Sequence, residues 1–245
     1  MFTRRGFLRA AASTAVSTSI MSYSGYCLAQ ENLPHAIGID PDFDGPLPPP
    51  GTLGRTPALR NEVRIARAIL SKAPPGPSPF DVAKYFLAVA KGEFSQAWQP
   101  YAQGWPERWN PVIVTFFQAT DTKPEGDVTP WCSAFVNWCF VQSGQPVGTH
   151  NASSGSFRNF GTKTANPVPG DIVVFRRTDP VEAQKGRGHV GFFVADHGSE
   201  VEVLGGNQIE GREHNHKISS KPLKKQGSIL ILDSFRTDPT LHQLA

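Results

Sequence analysis

Near residue 168 the apolar residues of this chain change their period, and that change limits the fold more than any other feature. Upstream, apolar positions recur every three or four residues. Leu59, Val63, Ala66, Ile69 and Leu70 fall on one face of a helix over 58–73, with Arg60, Arg64 and Arg67 opposite. The run from Pro74 to Pro79 breaks that helix, and Val82, Phe86, Leu87 and Ala90 mark a second over 80–92. A third runs over 111–119 and starts on Pro111, whose fixed φ suits a first helical position. A fourth begins with Thr129 as N-cap and Pro130 behind it; Cys132, Phe135, Val136, Cys139 and Phe140 form its buried stripe, and Gly144 ends it. Downstream, short β-rich runs replace helices: 171–175 after the turn Pro169-Gly170, 189–195, 201–204 after a turn at His197-Gly198, and 228–234. Helices first and an antiparallel sheet after them read as an α+β domain.

The ends are of a different character. Residues 30–57 read as a linker, because Asp44-Gly45-Pro46-Leu47-Pro48-Pro49-Pro50-Gly51 holds neither a helix nor a central strand. The chain therefore divides into residues 1–29, the linker 30–57, a helical segment 58–119, a core 120–235 and a tail 236–245. No run of eighteen apolar residues occurs, so no conventional spanning helix is expected. The formal charge of +3 comes from Arg4, Arg5 and Arg9; past residue 29 there are 21 basic and 21 acidic residues. A chain with no basic excess is a poor partner for nucleic acid.

Residues 3–9, Thr3-Arg4-Arg5-Gly6-Phe7-Leu8-Arg9, followed by an Ala- and Ser-rich stretch ending at Ala29, resemble a twin-arginine export signal. The resemblance implies passage through the Tat translocase to a bacterial periplasm or beyond, an oxidising compartment. After cleavage at Ala29, Cys132 and Cys139 remain. Seven residues apart on one helix, their Cα atoms lie about 10.5 Å from each other, too far for a disulfide, which needs less than about 7 Å. Both thiols are expected to stay free.

A free thiol in the first turn of a helix meets the positive end of the dipole, and a nearby histidine would complete its activation. Helix-start N–H groups would also supply part of an oxyanion hole. Of seven histidines, His35 falls in the linker, His242 in the tail, and His150 and His197 in loops. His214 and His216 flank Asn215 with no third ligand near them, so no metal site is expected. His189 differs, because it opens an apolar strand directly after Lys185-Gly186-Arg187-Gly188. Trp131 either lines the cleft or packs under the preceding loop. The run from Lys217 to Lys225 reads as a solvated basic face.

The segments Pro130-Trp131-Cys132-Ser133-Ala134-Phe135-Val136-Asn137-Trp138, 169–175, Gly188-His189-Val190-Gly191-Phe192 and Gly205-Gly206-Asn207-Gln208 occur in the order seen in the NlpC-like and CHAP superfamily, which they resemble over about residues 110–232. Members are papain-like bacterial cysteine peptidases and amidases. The resemblance implies a papain-like domain, Cys132 as nucleophile, His189 as general base and Asn207 as the group that orients the imidazole. Asp196 and Glu202 are rivals for that third role, and Asn207 after two glycines is equally a turn residue. Together with the export signal, the resemblance implies peptidoglycan as substrate, with no cofactor required. A fold retained for wall binding without turnover, or the same chemistry on another amide, are the alternatives.

Overall fold

The computed structural model describes residues 56–76, 78–146, 148–209 and 216–242; residues 1–29, which are expected to form an export signal, most of the expected linker, His35 and His214 lie outside them. Helix α1 (Arg60–Lys72) buries Val63, Ala66, Ile69 and Leu70. Its N-cap, Leu59, has no capping oxygen, so Glu62 reaches back to the Leu59 N–H at 2.7 Å. The same carboxylate takes the Arg108 guanidinium at 2.5–3.2 Å, which joins α1 to the segment before the next helices. Helix α2 (Pro79–Ala90) starts one residue earlier than the hydrophobic stripe indicates, because Ser78 accepts from the Asp81 N–H and Pro79 takes the first position. Helix α3 (Pro111–Phe116) tightens into a 3₁₀ turn over Phe117–Ala119. Its cap, Asn110, accepts from the Val112 N–H and donates to the carbonyls of Tyr101 and Gln103.

Helix α4 (Cys132–Gln142) departs from the expectation at its start. Trp131 is the N-cap, with no side-chain bond, and Thr129 instead accepts the Glu125 N–H through Oγ1. Nine successive residues, Cys132 to Phe140, are buried, so this helix is enclosed on all sides and is not a one-faced one. Phe86, Phe116 and Phe135 meet edge-to-face at 5.2–6.0 Å and form the centre of the helical layer.

Six antiparallel strands make one sheet in the order β1-β6-β2-β3-β4-β5: β1 (Thr162–Thr164), β2 (Ile172–Arg177), β3 (Gly188–Asp196), β4 (Glu200–Ile209), β5 (His216–Lys224) and β6 (Leu230–Thr237). Strand β1 was hidden in what reads as loop. Strand β5 corrects the solvated-face reading of Lys217–Lys225: Ile218 and Ser219 are buried, and Pro222 is tolerated because β5 is an edge. A short helix α5 (Pro180–Gln184), capped by Asp179, also escaped the periodicity. Across the β5–β6 connection, Leu232 N–H donates to Lys225 O and Gln226 pairs with Ile231. One face, with Ile172, Val174, Val190, Phe192, Leu204 and Ile218, packs on the helices. The other, with Val173, Phe175, Phe193, Val201 and Val203, is closed by Leu223, Leu230, Leu232 and Phe235. The fold is α+β.

The aromatic segment before α3 ties these layers together. Asp127, in the loop leading to Cys132, accepts the N–H groups of Trp105 and Asn110 through Oδ2, and Gly104 N–H donates to His216 O on β5. Among the described residues no helix is long and apolar enough to cross a membrane.

Candidate active site

Three elements end at one edge of the sheet: the start of α4, the start of β3 and the end of β4. Cys132 occupies the first position of α4 and is 4% exposed. Burial pushes its thiol up, while the N–H groups of Val190, Ser133 and Cys132 itself, which face the sulfur, favour the anion. The sulfur thus meets the β3 backbone one residue from His189. Cys139, two turns on, is wholly buried and its thiol is pushed well up; both cysteines are free.

His189 is 7% exposed and lies opposite Phe175 of β2. Its Nε2 is buried and has no hydrogen-bond partner. Burial, and after it the charge of Lys221, bring the imidazole down to about 4, so the ring is neutral at pH 7. Lys221 belongs to β5, whose weak apolar pattern does not single it out; its ammonium also donates to Ile209 O.

The lack of a side chain at two glycines lets β4 close on this edge. A Cβ at Gly205 would stand 3.3 Å from His189 Nε2, and one at Gly206 would stand 2.4 Å from the Trp131 ring and 2.9 Å from Phe135 Cβ. Trp131 is fully buried, its ring between Gly206 and Phe116. The β3–β4 register pairs Phe192 with Leu204, three residues short of both His189 and Asn207. A bulge intervenes between Gly205 and Gln208. Asn207 sits in it with φ 59°, a left-handed conformation that asparagine tolerates, and is half-buried. Bulges next to sites re-aim side chains, and this one turns Asn207 out of the strand alternation. Among the described residues no hydrogen bond joins His189 to Cys132 or to Asn207.

The neighbouring Gln208 is 2% exposed, and its amide donates to Val203 O, Gly205 O and Ser219 O, stitching the bulge to β5. Of the rivals for the third role, Asp196 pairs with Lys225 at the far end of β3, and Glu202 accepts from Ser220 and faces His197. Neither reaches this edge. His150 and His242 lie elsewhere: His150 is exposed in a loop with φ 54°, and His242 contacts Asp171 at 2.8 Å. His216 opens β5.

A cysteine at a helix start beside a histidine at a strand start can perform acyl transfer, provided the imidazole accepts the thiol proton. No curated protein and no solved structure matches the chain. The CHAP domain family model matches residues 123–207, a stretch that begins before Cys132 and ends on Asn207.

Proposed function

We propose that this chain is an exported cysteine hydrolase with a papain-like arrangement, cleaving an amide of peptidoglycan through Cys132, His189 and Asn207. The observation that carries the reading is the placement of the Cys132 sulfur against the Val190 N–H, next to His189, inside the segment matched by the CHAP domain model. CHAP domains are typically amidases or peptidases that act on peptidoglycan, and the twin-arginine resemblance of residues 3–9 supplies the route to that substrate.

The chemistry follows from the charge states. With the thiol pushed up and the imidazole held near 4, both are neutral at pH 7. Attack of Cys132 Sγ on the substrate carbonyl is therefore accompanied by transfer of its proton to His189. Collapse of the tetrahedral adduct breaks the C–N bond, the amine leaves with that proton, and a thioester remains. Water, deprotonated by His189, then releases the acid and restores the thiol. The N–H groups at the start of α4 favour negative charge there. Asn207 orients the imidazole from β4 once its side chain turns to Nε2.

Incubating the purified protein and its Cys132→Ala variant with peptidoglycan, under reducing conditions, and identifying products by mass spectrometry tests the reading. New fragments from the parent alone support it and name the bond. The near-complete burial of Cys132 and His189 favours a second reading, a wall-binding fold without turnover. Equal wall retention by parent and variant, with no fragments from either, would select that one.

A further inference from the structure

Asn137 is fully buried inside α4, one turn past Ser133, and both polar atoms of its side chain bond to the loop after the helix. Its Oδ1 accepts the Thr149 N–H at 2.8 Å, and its Nδ2 donates to Ser133 O at 3.1 Å, to Asn151 O at 3.1 Å and to Thr149 Oγ1 at 3.3 Å. Ser133, next to the nucleophile, donates to the same Asn151 carbonyl at 2.5 Å. Residues 149–151 are thus fixed to the first turn of α4 beside Cys132.

The other end of that loop is fixed to the approach to His189. Ser153 Oγ, Ser154 Oγ and the Gly155 N–H all donate to the Gly186 carbonyl, at 2.9, 3.3 and 2.9 Å. Arg158 donates to Ala183 O at 2.8 Å. The backbones of Gly155 and Gly186 approach so closely that a Cβ at Gly155 would lie 2.6 Å from Gly186 Cα. Gly186 stands three residues before His189. One short loop therefore joins the turn that carries the thiol to the turn that launches the imidazole.

We infer that residues 149–155 are a brace setting the separation of Cys132 and His189, with Asn137 as the positioning residue at its helix end and the Gly186 carbonyl as the anchor at its strand end. The inference rests on the reading of Cys132 and His189 as the reacting pair. Asn137 touches no substrate; it acts by holding the brace. A misplacement of about 1 Å between reacting groups costs about 100-fold in rate, and substrate binding is left in place.

Two variants release the two ends: Asn137→Ala at the helix, and Gly155→Ala at the Gly186 contact. Each is expected to lower kcat about 100-fold with KM within about threefold, while circular dichroism stays that of the parent. Leu232→Ala, in the core on the opposite face of the sheet, lowers Tm and leaves kcat alone. Loss of kcat in Leu232→Ala equal to that in the brace variants, or unchanged kcat in both brace variants, overturns the inference. Alkylation of Cys132 by iodoacetamide, followed across pH by peptide mass spectrometry, needs no substrate. Release of the brace opens the buried thiol to water, so both variants react about fivefold faster or more at pH 7, with a lower midpoint, desolvation being the first cause of the raised thiol. If the parent cuts no wall amide, the functional reading fails by itself, and the alkylation profile still decides: a midpoint identical to the parent's overturns the brace.

Discussion

Replacing Asp127 by Asn should change how stability depends on pH, with little change in shape. Asp127 is 6% exposed, and burial raises its carboxyl to about 6 in spite of the N–H groups of Trp105 and Asn110. A folded-state value above the ordinary 3.8 of an aspartate means that its contribution is fully present below 3.8 and is lost as pH rises through 6. The shift corresponds to about 3 kcal/mol. His189 works the other way. Its folded value of about 4 lies below the ordinary 6.5 of a histidine, so its contribution is present above 6.5 and is lost as pH falls through 4, again about 3 kcal/mol. Between pH 4 and 6 the two slopes cancel, and the parent should be nearly flat from these two groups. Asn keeps an oxygen for both N–H donors and removes the titration. Relative to the parent, Asp127→Asn should therefore gain roughly 2 kcal/mol between pH 4 and 7, steepest near pH 5 at about 1.4 kcal/mol per unit. Urea unfolding followed by tryptophan fluorescence at pH 4, 5, 6 and 7 measures the difference directly. Parallel curves for the two proteins would refute the reasoning, because they would mean that Asp127 titrates alike folded and unfolded.

Other expectations follow from the same packing. Because His189 must be neutral to take the thiol proton, the acid limb of kcat/KM should fall near pH 4; a limb at 6 to 7 would show that substrate-free His189 is hydrated and unlike the buried ring described above. Gly206→Ala should cost about 1 to 3 kcal/mol, since its Cβ would meet the Trp131 ring at 2.4 Å; a denaturant midpoint equal to the parent's would contradict the close approach of β4 to α4. Glu62→Gln leaves Arg108, whose side chain is 16% exposed, with only the more exposed Glu107 carboxylate 3.9 Å away and should cost about 2 to 3 kcal/mol; unchanged stability at low salt would show the pair to be neutral in effect.

Periodicity was enough to read α1 and α2, each of which buries one apolar stripe, while Pro111 marked the start of α3 and unbroken apolar runs marked β2 and β3. Cys132 and His189 were legible as candidates for the same reason: one stands where a buried helix begins and the other where a buried strand begins. Strand β5 was not, since an edge strand with Pro222 and three lysines buries only Ile218 and Ser219 and carries little apolar signal. The cap of α4 moved from Thr129 to Trp131 because Thr129 found a nearer donor in the Glu125 N–H. Composition and pattern determined the α+β class and the order of thiol, imidazole and amide along the chain. Only the tertiary structure decided that Asn207 occupies a bulge, that burial, and after it Lys221, depresses His189, and that Asn137 binds a loop reaching Gly186. Those facts depend on contacts between residues far apart in sequence, and local spacing carries no record of which strand will lie beside which.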